Sequence, residues 1–250
     1  MLDLGAAHGA VGRRIGVLPH VGTVISADLS PRLLMSSQGM RVVADEEMLP
    51  FRDGSLDLVV SGLTLQLVND LPGALVQIRR ALKPDGLLLA GLLGGTTLME
   101  LRGAWLQAES EIEGGASPRV APFADVRDLG GLLQRAGFAL PVVDSDVVKV
   151  AYASPLALMR DIKAMGGSNA LDHRSRRPTR RRTLARACEI YSELHARRDG
   201  RIEATFEIVT LTAWVPHESQ QQPLRPGSAK VRMADALGVV EHIVKSAGKP

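Results

Sequence analysis

Two rhythms of apolar and polar positions divide this chain. From residue 1 to about 95, short apolar runs alternate with segments whose apolar positions recur at helical spacing, the pattern of a parallel sheet wrapped by helices. The runs predict strands at Leu2–Leu4, Thr23–Ala27, Met40–Val43, Leu56–Ser61 and Leu87–Leu92. Between the last two, Leu71, Leu75, Ile78 and Leu82 share one helical face. Lys83-Pro84-Asp85-Gly86 then supplies a basic last turn, a helix stop and a tight turn, which completes a βαβ crossover.

Beyond Gly94-Gly95 the helical rhythm dominates. Residues 97–113 read as an amphipathic helix with Leu98, Leu101, Trp105 and Ala108 on one face, ended by Gly114-Gly115. A helix over Val126–Arg135 leads through Gly137 into a strand over Val142–Tyr152, and Thr205–Val215 reads as a second strand of that kind. With helical material over Pro155–Arg198 between them, these two are expected to pair antiparallel at the edge of an otherwise parallel sheet. The expected fold is therefore α/β: a Rossmann-like, seven-stranded, mostly parallel sheet with an antiparallel last strand and helices on both faces. Residues 1–215 form one domain with a helical cap over about 154–200, and 216–250, dense in Gln, Pro, Gly and Ser, are expected to form a loosely ordered arm with one short helix near Leu237–Val244.

Composition narrows the class. With 250 residues, 45% hydrophobic and 23% charged, the chain has room for one sizeable domain and the balance of an ordinary globular protein. The net charge of +3 is mild, so no nucleic-acid partner is expected. Six arginines fall within residues 174–182; a solvated loop of the cap is the expectation, with an acidic partner as the alternative. A lone cysteine, Cys188, excludes an internal disulfide and a cysteine zinc cage, fits a reducing compartment, and is expected to be a packing residue. No apolar stretch reaches membrane length and no basic-then-apolar leader precedes the first strand, which predicts a cytoplasmic protein. The excess of Arg over Lys and the abundance of Ala suggest a GC-rich bacterial source. The first strand starts at residue 1, so the expectation is either that the helix that usually precedes such a domain is absent or that the chain was started late, with weaker closure of the ligand site in this polypeptide.

The candidate chemistry gathers where strands end. Gly5 and Gly9 flank a turn whose backbone must pass close to a ligand, with Ala7 in the middle where glycine is usual. Asp28 ends the second strand, where a carboxylate can accept both hydroxyl protons of a ribose, and Leu29 follows it. Asp45 lies just past the third strand, beside Glu46, Met48 and Leu49; it is placed to accept an adenine amino proton, or else to cap a helix. Asp3 lies under the turn, where it could fix an ammonium group.

Residues 7–12 also resemble a dinucleotide fingerprint with its first glycine replaced, but a pyrophosphate disfavours a nearby anion such as Asp3. S-adenosylmethionine, which carries an ammonium and a sulfonium, fits the acids better than a nicotinamide cofactor does. Ser61, Thr64, Gln66 and Asn69, near the end of the fourth strand, could orient an acceptor, and no one of them is assigned as catalytic. The six histidines are scattered, with no spacing for an iron triad; His217-Glu218 is the pair closest to a functional arrangement.

Asp3-Leu4-Gly5, Asp28, Ala44-Asp45 with Leu49-Pro50-Phe51, Leu56–Ser61 and Lys83–Gly86 together resemble class I S-adenosylmethionine-dependent methyltransferases over residues 1 to about 95. A longer run, including Val68-Asn69-Asp70-Leu71-Pro72, Gly94-Gly95-Thr96-Thr97-Leu98, Ser117-Pro118, 166–169, 217–220 and Gly227-Ser228-Ala229, is similar to bacterial relatives of the mitochondrial complex I assembly factor that hydroxylates an arginine of a complex I subunit. Two departures stand out: Leu65-Gln66-Leu67-Val68 replaces an aromatic-flanked histidine, and Ala7 replaces glycine. The resemblance implies a methyltransferase of type 11 that binds S-adenosyl-L-methionine through Asp3, Gly5, Ala7, Gly9, Asp28, Leu29, Asp45, Glu46 and Ser61. The alternatives are an arginine hydroxylase or a non-catalytic assembly factor, acting on a protein such as a respiratory complex I subunit.

Overall fold

The computed structural model describes residues 1–221 together with Val231 and Gly238; the short helix expected at Leu237–Val244 lies, but for Gly238, outside the described residues. The chain divides into a compact unit, Met1–Pro216, and a second segment, His217–Pro250. In the compact unit the chain runs β1 (Leu2–Leu4), α1 (Ala10–Gly16), β2 (Ile25–Asp28), α2 (Pro31–Leu34), β3 (Met40–Val43), β4 (Leu56–Gly62), α3 (Leu71–Ala81) and β5 (Leu82–Leu93). It continues through α4 (Met99–Glu113), α5 (Val126–Arg135), β6 (Ala139–Tyr152), α6 (Pro155–Ala164), α7 (Arg181–His195) and β7 (Ile202–Trp214).

One seven-stranded sheet results, in the order β3-β2-β1-β4-β5-β7-β6. The first five strands pair in parallel, and β7 is antiparallel to both neighbours. The fold class is the one expected, while several bounds move. β5 is counted from Leu82 because Leu82 pairs with Leu56 before the ladder resumes at Leu58 with Leu87. Asp85, at φ +62°, makes the tight turn between those two pairings, so the expected helix stop and turn sit inside the strand's span. The helical material expected over 155–198 is two helices separated by an irregular stretch from 165 to 180.

Local chemistry explains the helix starts. Ser30, Asp70 and Ser154 each cap a helix by accepting a backbone N–H in the first turn, and a proline follows each cap within two residues. Arg79 and Arg80 in the last turn of α3 complement the helix dipole.

Strand alternation splits the core between the two sheet faces. Val209, Leu211 and Ala213 of β7 join β1, β4 and β5 against Leu75 and Ile78 of α3 and Leu129 and Leu133 of α5. On the opposite face, Ile202 and Ala204 pack with Leu101 and Trp105 of α4, Leu158 of α6 and Ile190 and Tyr191 of α7. Each fully buried leucine contributes about 2 kcal/mol of transfer free energy. The insertion is therefore anchored by its own apolar cluster, with Tyr191 Oη donating to the Glu203 carbonyl at 2.9 Å.

Candidate functional site

The strand order reverses between β1 and β4, and open α/β sheets bind ligands outside the carboxyl ends of the strands at such a switch. β1 exits through Gly5, at φ +66°, and Gly9, at φ +68°. A Cβ on Gly5 would collide with the Thr64 side chain, and one on Gly9 would lie 2.7 Å from Ser37 Cβ. Both glycines are thus required by backbone shape and by close approach. Ala7 adopts φ +45°, a left-handed conformation that costs a residue with a Cβ about 1 kcal/mol. Its N–H donates to Asp28 Oδ2 at 2.8 Å, which holds the strained turn to the tip of β2.

Asp3 is fully buried, and its Oδ2 accepts the Gly12 N–H at 2.8 Å. Its Oδ1 has no partner. Burial pushes the Asp3 carboxyl above the usual range, the Gly12 hydrogen bond and the Arg13 charge pull it down, and the Asp28 charge adds to the rise. Asp28 accepts from Ser30 N as well as Ala7 N, both at 2.8 Å, which fixes its carboxylate at the rim of the turn. Each of its oxygens keeps a second lone pair.

The loop after β3 brings further acids to this region. Asp45 is exposed and accepts the Glu47 N–H at 2.9 Å; no helix follows it, so it closes a local turn and caps nothing. Glu46 is buried, and burial lifts its carboxyl first, with the charges of Asp28, Asp45 and Glu47 adding to the rise. The Ala44 N–H donates to the Asp28 carbonyl at 3.2 Å, so the tip of β2 and the loop after β3 share one neighbourhood.

At the end of β4, Ser61 is buried with its Oγ unpartnered, and Gln66 Oε1, in the following turn, is likewise buried and unpartnered. Gln66 Nε2 donates to the Leu63 carbonyl, and Thr64 Oγ1 donates to the Gly5 carbonyl at 3.1 Å, tying the β4 turn to the β1 turn. Asn69 is exposed, with its backbone N–H bound to Glu47 Oε1. The loops after β2, β3 and β4 also carry Leu29, Met48, Leu63 and Leu67 with 44–73% of their surface exposed. Large apolar side chains thus stand open around the buried polar groups of this edge.

The structure thus brings Asp3, Gly5, Ala7, Gly9, Asp28, Glu46 and Ser61 to the carboxyl edge of β1, β2 and β4, with Leu29 and Asp45 exposed at its rim. Sequence reasoning missed the residues that brace this edge. Gln77, on α3, donates to the Glu47 carbonyl at 2.6 Å and accepts from Leu49 N at 3.0 Å, fixing the loop after β3. Glu207, on β7, accepts from Thr96 N, Thr96 Oγ1 and Ser145 Oγ within 2.9 Å and holds the turn after β5; the Thr96 N–H and the two hydroxyls lower its carboxyl pKa against a smaller rise from burial. Nothing local singled it out, since β7 also carries Glu203 and three threonines. His217 pairs with Ser219 at 2.8 Å. Among the described residues, no three His, Cys, Asp or Glu side chains gather to hold a metal ion.

The Methyltransferase domain family matches residues 2–90 of this chain. The human arginine-hydroxylase NDUFAF5, mitochondrial, is 41% identical over 248 residues, which cover 97% of this chain and 71% of that protein. Malonyl-[acyl-carrier protein] O-methyltransferase of Halorhodospira halophila is 37% identical over 222 residues, covering 86% of this chain and 73% of that one. In structure, YcgJ from Bacillus subtilis overlays with a TM-score of 0.60 at 13% identity, over 86% of this chain and 91% of that chain.

The protein is therefore of the class I S-adenosylmethionine-dependent methyltransferase type. More narrowly, it belongs to the family that includes arginine-hydroxylase NDUFAF5. S-adenosyl-L-methionine is the cofactor of this class, and the site fits it on one observation. Buried acceptors without a partner stand at Asp3 Oδ1, Ser61 Oγ and Gln66 Oε1. No described helix is long and apolar enough to cross a membrane.

Proposed function

We propose that the carboxyl edge of β1, β2 and β4 holds S-adenosyl-L-methionine and that the chain transfers its methyl group to an acceptor bound beside β4. The observation that carries this reading is the unpartnered, fully buried Asp3 Oδ1 under the glycine turn, an acceptor for the ligand's ammonium group. Asp28 accepts from the ribose hydroxyls, Asp45 from the adenine amino group, and Leu29 and Met48 pack on the ring. Gly5, Ala7 and Gly9 let the backbone approach, and Glu46 and Ser61 line the floor. When bound, the cofactor supplies an electrophilic methyl carbon on a sulfonium. Methyl transfer is an in-line displacement, so the chain's task is to place the acceptor and exclude water, with a base needed only where the acceptor must lose a proton.

A second reading is favoured by the names of the relatives: arginine hydroxylation of a protein, or assembly of respiratory complex I without turnover, in a cytoplasmic bacterial setting. Mass spectrometry of protein purified from its native host tests both readings. Retained S-adenosylmethionine and a methyl-sized mass gain on a co-purifying protein or small molecule support transfer. A gain of one oxygen on an arginine overturns transfer in favour of hydroxylation, and ligand with no modified product favours assembly.

A further inference from the structure

Beside the carboxyl end of β5 lies a cavity of about 470 Å³ between α4 and the loop 116–123. Trp105, Leu106, Pro118, Val120 and Phe123 make it largely apolar, and Arg102 and Arg119 are the charged groups in its lining. The two arginines are treated differently. Arg119 stacks over Trp105 at 4.8 Å and is neutralised by buried Glu109, whose Oε1 accepts from Arg119 Nε at 2.6 Å. Arg102 meets no carboxylate among the described residues. Its guanidinium reaches the carbonyls of Gly95, Thr97 and Ala121 at 3.3–3.5 Å, long contacts that leave its charge uncompensated.

Helix stability does not account for Arg102. It sits at the end of the first turn of α4, where the helix dipole disfavours a cation. Trp105 and Leu106, three and four residues on, share its face of the helix, so the charge stands at one end of an apolar slot.

We propose that this cavity is a binding site for an anionic group, a carboxylate or phosphate monoester, carried on an apolar stem. The guanidinium of Arg102 takes the anion with a charge-assisted pair of hydrogen bonds, and the stem lies against Trp105 and Phe123. Arg119, locked by Glu109, serves as a wall. The site stands on the cavity and on Arg102, independently of which group the chain transfers.

Trp105 and Trp214 are the two tryptophans of the chain, so a Trp214→Phe background makes Trp105 emission the reporter. Full-length protein in that background is titrated with hexanoate, hexyl phosphate and hexanol, and melted by circular dichroism to verify folding. A saturable emission change is expected with hexanoate or hexyl phosphate, and whichever saturates first identifies the anion. Hexanol is expected to bind about tenfold or more weaker, Arg102→Met to lose at least about tenfold for the anion, and Arg102→Lys to retain part of it. Calorimetry with S-adenosylmethionine on folded Arg102→Met is expected to match the unsubstituted chain, which separates this site from the cofactor edge. Equal binding of hexanol and the anions, unchanged anion affinity in folded Arg102→Met, or no saturable change in the folded protein would overturn the proposal.

Discussion

Buried polar side chains occur on both halves of the carboxyl edge, and the two halves satisfy them to different extents. On the β5–β7 side, Glu100, Glu109 and Glu207 have every carboxylate oxygen partnered: Glu100 by the Thr205 N–H and hydroxyl, Glu109 by Ser117 and Arg119, Glu207 by Thr96 and Ser145. On the β1–β4 side Asp28 is partnered on both oxygens, whereas Asp3 Oδ1, Ser61 Oγ and Gln66 Oε1 are the buried side-chain polar atoms left without a partner among the described residues. Each such atom costs about 1–3 kcal/mol of desolvation that folding does not recover. The first set is scaffold, spent on holding the turn after β5 and α4 in place. The second set carries a stability cost that a ligand offering donors would offset.

Stability and affinity should therefore separate across the two halves. The largest effect is expected for Glu109→Ala, which strips Arg119 of its buried carboxylate and should destabilise the fold by about 3 kcal/mol in denaturant titrations. Once folded, that variant should bind S-adenosylmethionine as before. Asp28→Ala should do the reverse in its main effect, weakening cofactor binding by about 1–3 kcal/mol in calorimetry; unchanged affinity would remove Asp28 from the site.

Asp3→Asn sharpens the comparison through pH. Because burial raises the Asp3 carboxyl, the folded state holds that proton more tightly than the unfolded chain does, and stability is lost as pH climbs from the unfolded value through the raised folded one. The cofactor-free Asn variant should then melt higher than the unsubstituted chain at neutral pH while binding S-adenosylmethionine more weakly. Glu207 has the opposite sign. Its lowered carboxyl contributes stability that is present above the unfolded value and lost as pH falls through the folded one, so Glu207→Gln should flatten the acid limb of the stability curve. The smallest effect is expected for Ala7→Gly, which relieves a Cβ at φ +45° and should raise stability by about 0.5–1 kcal/mol by thermal denaturation.

The sequence made the parallel half of the fold legible because its strands are short apolar runs bounded by Gly, Pro and Asp. Leu2–Leu4, Met40–Val43 and Val126–Arg135 fall where periodicity places them. Bounds slipped where pairing, a long-range property, extends an element: Leu82 is drawn into β5 by Leu56, and Ala139 into β6 by Trp214. The positions of Asp3, Asp28 and Ser61 followed from strand ends. The strain at Ala7, the Gln77 brace and the satisfaction of Glu207 by Thr96 and Ser145 did not, because each depends on partners 21 to 111 residues away. No local pattern could distinguish the open acid Asp3 from the closed acid Glu207.

The most direct test of the open-acceptor account is a crystal structure of the chain with S-adenosylhomocysteine, the product that keeps the ammonium, ribose and adenine. The account predicts the ammonium within hydrogen-bond reach of Asp3 Oδ1, directly or through one water, and the ribose hydroxyls on Asp28. Ligand density away from the β1–β4 edge, or at that edge with Asp3 Oδ1 still unpartnered and Asp28 turned away, would contradict it.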